Sequence, residues 1–211
     1  MPLSVSASTK LLFIGDSITD VGRRNDPDKL GGGYVRNIFD YLAAKDPASC
    51  PQVINMGIGG NKITDLRNRW QRDVLDFQPD ILSIKIGIND VWHGLTPNGQ
   101  GVSIEEYVGV YHAILRQVHN VLPNCRIVLC EPSVIWPPSP EEGNARLQPY
   151  VRAVNEVGRE FGAAAIVPLH GAFVRAKEKR PDIVWAPDGV HPSSAGHMLI
   201  ARTWLAATGL L

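Results

Sequence analysis

The chain has 211 residues, of which 20% are charged, and its formal net charge is zero. This length fits one domain, residues 1–211, whose single core buries around 70% of the unfolded surface without a staple. The charge balance excludes the basic excess that holds phosphate backbones, so nucleic acid is not an expected partner.

In chain order, residues 11–14 read as a strand that ends on Gly15-Asp16-Ser17-Ile18-Thr19-Asp20. A helix follows at 34–44, entered through Gly31-Gly32-Gly33. Residues 53–55 form a second strand running into Asn55-Met56-Gly57-Ile58-Gly59-Gly60-Asn61, with helical spacing at 64–77. The third strand, 81–86, is interrupted by Lys85 and leads into Gly87-Ile88-Asn89-Asp90. Ser103-Ile104-Glu105-Glu106 offers a capping box for a helix over 104–122. A fourth strand at 126–130 precedes a Pro-restricted loop at 136–143, a helix at 147–161 and a fifth strand at 164–167. The last helix starts near Ser193 or Ser194, presents Met198, Ala201 and Leu205 on one face, and stops before Gly209.

Apolar runs alternating with helical segments predict an α/β fold: a three-layer α/β/α arrangement around a five-stranded parallel sheet covered on both faces. There are three cysteines, Cys50, Cys125 and Cys130, and no C-x-x-C pair, which indicates neither a disulfide framework nor a zinc knuckle and fits a reducing compartment. In an extended strand, Cys125 and Cys130 would stand roughly 16 Å apart, too far to bridge. The first residues lack the basic and apolar regions of a signal peptide, and no long apolar run is present, so the expectation is a cytoplasmic protein without a membrane partner.

Three unusual segments directly follow strands, and in a parallel sheet they share one edge. With the first strand between the second and third, their loops border the switch-point crevice. The Asp188-Gly189-Val190-His191-Pro192 turn, just before the final helix, then packs beside that edge. Such a cluster suits acyl transfer, which needs a nucleophile, a base and oxyanion donors. Ser17 is the candidate nucleophile, His191 the base and Asp188 the group that orients it. Candidate oxyanion donors are the Ser17 and Gly60 amides and the Asn89 side chain; Asp16 and Asp90 are supporting candidates.

Each residue also has a plainer reading. Serine and aspartate after a strand are common helix caps, and Asn89 and the Asp188/His191 pair suit ordinary turns. Trp92, Trp136 and Trp185 offer faces for stacking on a sugar, or simply pack. His112 and His119 read as surface residues of a helix. Lys62 stands where a dinucleotide fingerprint needs glycine or alanine, and the Gly31–Gly33 run lacks a phosphate loop's ending. Thr19 replaces the second glycine of a G-x-S-x-G elbow. Asp16, Asp20, Asp188, His191 and His197 show no recognised metal spacing, so neither cofactor nor metal is expected.

Gly15-Asp16-Ser17, Gly60, Gly87-x-Asn89-Asp90 and Asp188-x-x-His191, in this order, resemble the blocks of the SGNH (GDSL-type) hydrolases across nearly the whole chain. Ile18 stands where the family name has leucine. The resemblance implies a flavodoxin-like fold, a Ser17 nucleophile, Ser17, Gly60 and Asn89 as oxyanion donors, and an Asp188/His191 pair. Longer stretches, among them Ile86-Gly87-Ile88-Asn89-Asp90-Val91-Trp92, look like those of bacterial intracellular acetylxylan esterases. That implies a cofactor-free esterase acting on acetylated xylo-oligosaccharides or related small-molecule esters, and assembly as a homo-oligomer. The alternatives are a short-chain lipid esterase or thioesterase, a metal-dependent hydrolase, and a carbohydrate-binding module without turnover.

Overall fold

Five runs of mostly apolar residues pair into one parallel sheet. They are β1 (Lys10–Gly15), β2 (Gln52–Gly57), β3 (Ile81–Lys85), β4 (Arg126–Cys130) and β5 (Ala165–Val167), in the spatial order β2-β1-β3-β4-β5. The computed structural model describes residues 2–95, 99–136 and 142–211. Each strand lies close to its expected place, and β1 sits between β2 and β3 as the switch-point argument requires. Gly15 pairs with both Gly57 and Lys85, and Lys85 with Cys130, so these strand ends are level and their loops emerge together.

Eight helices surround the sheet among the described residues: α1 (Ser17–Asp20), α2 (Tyr34–Lys45), α3 (Ile63–Asn68), α4 (Ile88–Trp92), α5 (Ile104–Val121), α6 (Glu142–Glu160), α7 (Leu169–Lys179) and α8 (Ser194–Thr208). Helices α2, α7 and α8 pack into one layer, and α3, α5 and α6 into the other. Phe13 of β1 meets Tyr34 of α2 and Trp204 of α8, with ring centroids 5.8 and 5.3 Å apart. Burying an aromatic side chain of that size stabilises by about 2–3 kcal/mol. On the opposite layer, the Tyr107 hydroxyl of α5 donates to the Ile86 carbonyl just beyond β3.

Helix ends follow their caps. The Ser103 hydroxyl accepts the Glu106 amide and the Ser193 hydroxyl accepts the Gly196 amide, while Gly209 closes α8 at φ +75°. His112 and His119 lie on α5 at the surface, against Phe161. All three cysteines are free, and burial pushes the Cys130 thiol up to about 12.

Three expectations need correction, and one helix was not expected. The continuous helix over 64–77 is instead α3 followed by a five-residue π-helical turn at Gln71–Leu75, because Arg69 leaves helical dihedrals. Met198 is 54% exposed: α8 buries His197, Ile200, Ala201, Trp204 and Leu205, and Met198 stands one position off that stripe. Helix α6 begins at Glu142, inside the segment read as loop, and continues through Pro149, which leaves the Ala145 carbonyl without its helical donor. Residues 137–141 of that segment lie outside the described residues. Helix α7 had no expected counterpart, although Leu169, Ala172 and Phe173 mark its buried face.

Candidate active site

β1 and β2 end on glycine because nothing larger fits there. A Cβ on Gly15 would lie 2.2 Å from the Lys85 carbonyl oxygen, and one on Gly57 would lie 2.3 Å from the Asp20 amide nitrogen. These approaches let α1 settle directly on the strand ends. Buried Asp16 caps it, accepting the Ile18 amide at 2.9 Å. Capping therefore falls to Asp16, which leaves the neighbouring Ser17 hydroxyl for other contacts. Asn55 secures the turn from β2: its Nδ2 donates to the Thr19 and Leu30 carbonyls at 2.7 Å each, and its Oδ1 accepts the Gly57 amide at 2.8 Å. Val21 leaves α1 at φ +37°, a left-handed conformation that β-branched residues rarely adopt.

Ser17 Oγ lies 2.9 Å from His191 Nε2, and His191 Nδ1 lies 2.6 Å from Asp188 Oδ2. With Nδ1–H donating to the carboxylate, Nε2 is left to accept the Ser17 proton. Asp188 Oδ1 also accepts the Val190 and His191 amides, at 3.0 and 2.7 Å. Partial burial raises the Asp188 pKa, but the His191 ring and the two amides outweigh it, so the carboxyl titrates below its usual range. The His191 and Asp188 side chains are 54% and 56% exposed, so this site is open rather than enclosed.

The loop after β2 passes close to Ser17, since a Cβ on Gly59 would come within 3.9 Å of the Ser17 Cβ. Gly60 adopts φ +77°, where a side chain would be strained. Neither the Ser17 nor the Gly60 amide donates a hydrogen bond among the described residues. Asn89, at the start of α4, donates from Nδ2 to the Asn61 carbonyl at 3.1 Å, which fixes the amide and leaves its second hydrogen available. All three oxyanion candidates thus lie at the edge where Ser17 stands.

Arg69 is a positioning residue that sequence reasoning missed. It is 8% exposed and departs from helical dihedrals (φ −115°, ψ 8°), which ends α3. Its guanidinium donates to the carbonyls of Gly15 (3.0 Å) and Met56 (2.7 Å), to Asn61 Oδ1 (2.8 Å) and to Asp73 (2.8 Å). One side chain thereby joins the strand end before Ser17 to the residue that anchors Asn89. The signal available was the Arg69/Asp73 spacing, i to i+4, each residue directly before a buried one, Trp70 and Val74.

Asp90 is 1% exposed; one of its oxygens accepts the Ile63 amide at 3.0 Å and the other has no partner among the described residues. Burial, with a smaller push from Asp16, raises its pKa to about 7 despite the Ile63 amide. The folded pKa exceeds the unfolded one, so the native state retains a proton that the unfolded chain loses, and stability falls as pH rises from about 4 to about 7. Asp90→Asn keeps the acceptor and removes the ionisation. The variant is expected to gain stability over the parent at pH 8 relative to pH 4, measured by urea unfolding; an equal difference at both pH values would refute this.

Trp136 and Trp185 line one cleft, whereas Trp92, at the end of α4, packs against the core and lies outside it. His197 accepts the Tyr34 amide at 3.2 Å, which supplies the start of α2 with an acceptor. Burial, then the charges of Lys85 and His191, push its pKa down to about 4. Among the described residues, no three His, Cys, Asp or Glu side chains cluster as metal ligands would. Likewise, no described helix is long and apolar enough to cross a membrane.

A serine, an imidazole and a carboxylate in hydrogen-bonded sequence, at the carboxyl edge of a parallel α/β sheet, have the constitution of an acyl hydrolase. The chain belongs to the GDSL-like lipase/acylhydrolase family, whose sequence profile matches residues 13–199. It is 34% identical to the acetylxylan esterase of Geobacillus stearothermophilus, over 98% of this chain and 97% of that protein. The crystal structure of that esterase superposes with a TM-score of 0.87 at 33% identity, covering 98% and 97% of the two chains. A Parabacteroides merdae protein named for its likeness to GDSL lipases reaches 0.92 at 37% identity, with both chains fully covered. An α/β hydrolase from the Lake Arreo metagenome gives 0.86 at 34% identity, covering 98% and 97%.

Proposed function

We propose that the protein is a serine esterase that removes acetyl groups from xylo-oligosaccharides or related carbohydrate esters. The observation carrying this reading is the Ser17–His191–Asp188 chain, with links of 2.9 and 2.6 Å. Ser17 Oγ attacks the acyl carbonyl while His191 Nε2 takes its proton. The carbonyl oxygen becomes an oxyanion held by the Ser17 and Gly60 amides and Asn89 Nδ2. Collapse breaks the ester C–O bond, and His191 returns the proton to the departing sugar hydroxyl. Water then attacks the acyl-Ser17, His191 accepts its proton, and acetate leaves as the serine regains its hydrogen. Asp188 keeps the imidazole in the required tautomer throughout. Loss of one oxyanion donor would slow kcat by about 10²- to 10³-fold.

The acetylxylan esterase likeness supports the acetyl and sugar halves of this reading, and the half-buried Trp136 and Trp185 supply faces on which a sugar ring could rest. Initial rates on acetylated xylo-oligosaccharides, acyl-CoA thioesters and acyl esters of increasing length test it. The expected order places acetylated sugars first; a preference for acyl chains above about four carbons would replace the deacetylase reading with that of a lipid esterase or thioesterase.

A further inference from the structure

The cleft that holds both tryptophans has a volume of about 290 Å3 and is lined by Trp136, Lys177, Pro181, Ile183, Val184 and Trp185, together with Ala186. Hydrogen bonds hold both tryptophans of its wall. The Trp136 amide donates to the Gly189 carbonyl at 3.0 Å, and the Trp185 indole N–H donates to the Arg180 carbonyl at 3.1 Å. The Ser193 amide donates to the Trp185 carbonyl at 2.9 Å. Gly196 of α8 lies so close below that a Cβ there would be 2.3 Å from the same carbonyl oxygen. Because the backbone bonds span residues 185 to 193, the cleft wall and the Asp188/His191 pair belong to one braced segment.

The chemistry of the lining selects the ligand. Among the described residues that line the cleft, Lys177 alone is charged. Its ammonium gives one hydrogen bond, to the Pro181 carbonyl at 3.1 Å, and has two further hydrogens. The neighbouring carboxylate of Asp182 is already held by Arg180 through two bonds of 2.8 and 2.6 Å. The Trp185 indole N–H is likewise occupied, so that ring offers an apolar face rather than a donor. Preformed apolar walls with one cation suit a ring that is apolar on its face and anionic at its edge.

We propose that this cleft is a substrate subsite for an acidic sugar, a uronic acid carried on the acetylated oligosaccharide, its ring against the indoles and its carboxylate on Lys177. The inference rests on the carbohydrate-esterase reading and specifies which carbohydrate is preferred. Two acetylated xylo-oligosaccharides of equal length, one bearing a uronic acid branch, are compared on the parent protein and on Lys177→Gln, whose exposed site is outside the core. The expected result is about a tenfold higher kcat/KM for the branched substrate, expressed in KM, as one charge-assisted hydrogen bond supplies. Lys177→Gln removes that advantage, so the ratio of kcat/KM for the branched to the unbranched substrate falls to about one.

Equal rates on both substrates with the parent protein, or a variant that slows both alike, would overturn the subsite while leaving the esterase reading intact. If neither oligosaccharide is hydrolysed, the carbohydrate-esterase reading fails instead. Calorimetric titration of the Ser17→Ala protein with an unacetylated uronic acid oligosaccharide then reads the cleft directly: binding that disappears when Lys177→Gln is added supports it, and binding indifferent to that change refutes it.

Discussion

Replacing Ser17 by alanine is expected to lower kcat/KM by about 10⁴-fold or more, since removing the nucleophile disables the base and the orienting carboxylate with it. The fold should scarcely register the change. The cap on α1 belongs to Asp16, and the one side-chain bond lost is that to half-exposed His191, so stability should shift by no more than about 0.5 kcal/mol. Two readouts separate the chemistry from the scaffold: ester hydrolysis with thermal unfolding on the same samples, and mass mapping of a phosphonate or sulfonyl fluoride label. The label should sit on the Ser17 peptide of the parent and be missing from the variant. Substantial retained activity in an intact Ser17→Ala protein would remove that residue from the mechanism.

Arg69→Ala is expected to cost about 3 kcal/mol of stability, the lower part of the range for breaking a buried ion pair, because Arg72 still contacts Asp73. In a chain of this size that lowers Tm by roughly 6–12 °C. The loss has identifiable sources: the Met56 carbonyl and Asn61 Oδ1 each lose a donor, and the Gly15 carbonyl keeps only the Ile58 amide. Activity measured well below the new Tm adds information that stability alone does not. A positioning role predicts a fall in kcat with KM little changed, since Ser17 and Asn89 lose their common brace. Asn61→Ala cuts the same brace near the surface, and Asn61→Asp, which keeps an acceptor for Arg69, should restore most of the rate. A Tm change under about 2 °C for Arg69→Ala would show that the guanidinium is not the strut described.

The sheet was legible because a strand covered on both faces must be apolar at nearly every position, and residues 11–14, 81–84 and 127–130 satisfy that without exception apart from Ser83. The glycine and polar turns after β1, β2 and β3 were legible for the complementary reason: side chains are excluded where α1 lands on Gly15 and Gly57. Reading failed where a polar side chain turns inward. His197 is buried against α2, so a hydropathy pattern that assigns histidine to water rotates α8 by one residue and promotes Met198 to the core. Arg69 misleads in the same way, and its inward turn is what breaks the helix expected over 64–77. Which of Trp92, Trp136 and Trp185 share a cleft depends on where α4 and the 180–189 segment lie in space, which no local pattern carries. Asn55 and Asn61 carried a weaker signal, as asparagines flanking a glycine-rich turn without a stated partner.

The openness of the His191 and Asp188 side chains bears on how an acyl-enzyme would partition. An acyl group on partly exposed Ser17 would have the half-exposed imidazole beside it, so among the described residues the base is open to water from bulk solvent. A sugar hydroxyl arriving from solution would have the same access, and the outcome would be decided by which acceptor the surrounding surface retains longest. On this geometry the partition between hydrolysis and acyl transfer is set outside the triad, by occupancy of the neighbouring surface. A neighbouring surface that holds a sugar longer would therefore favour transfer, with Ser17, His191 and Asp188 left as they are.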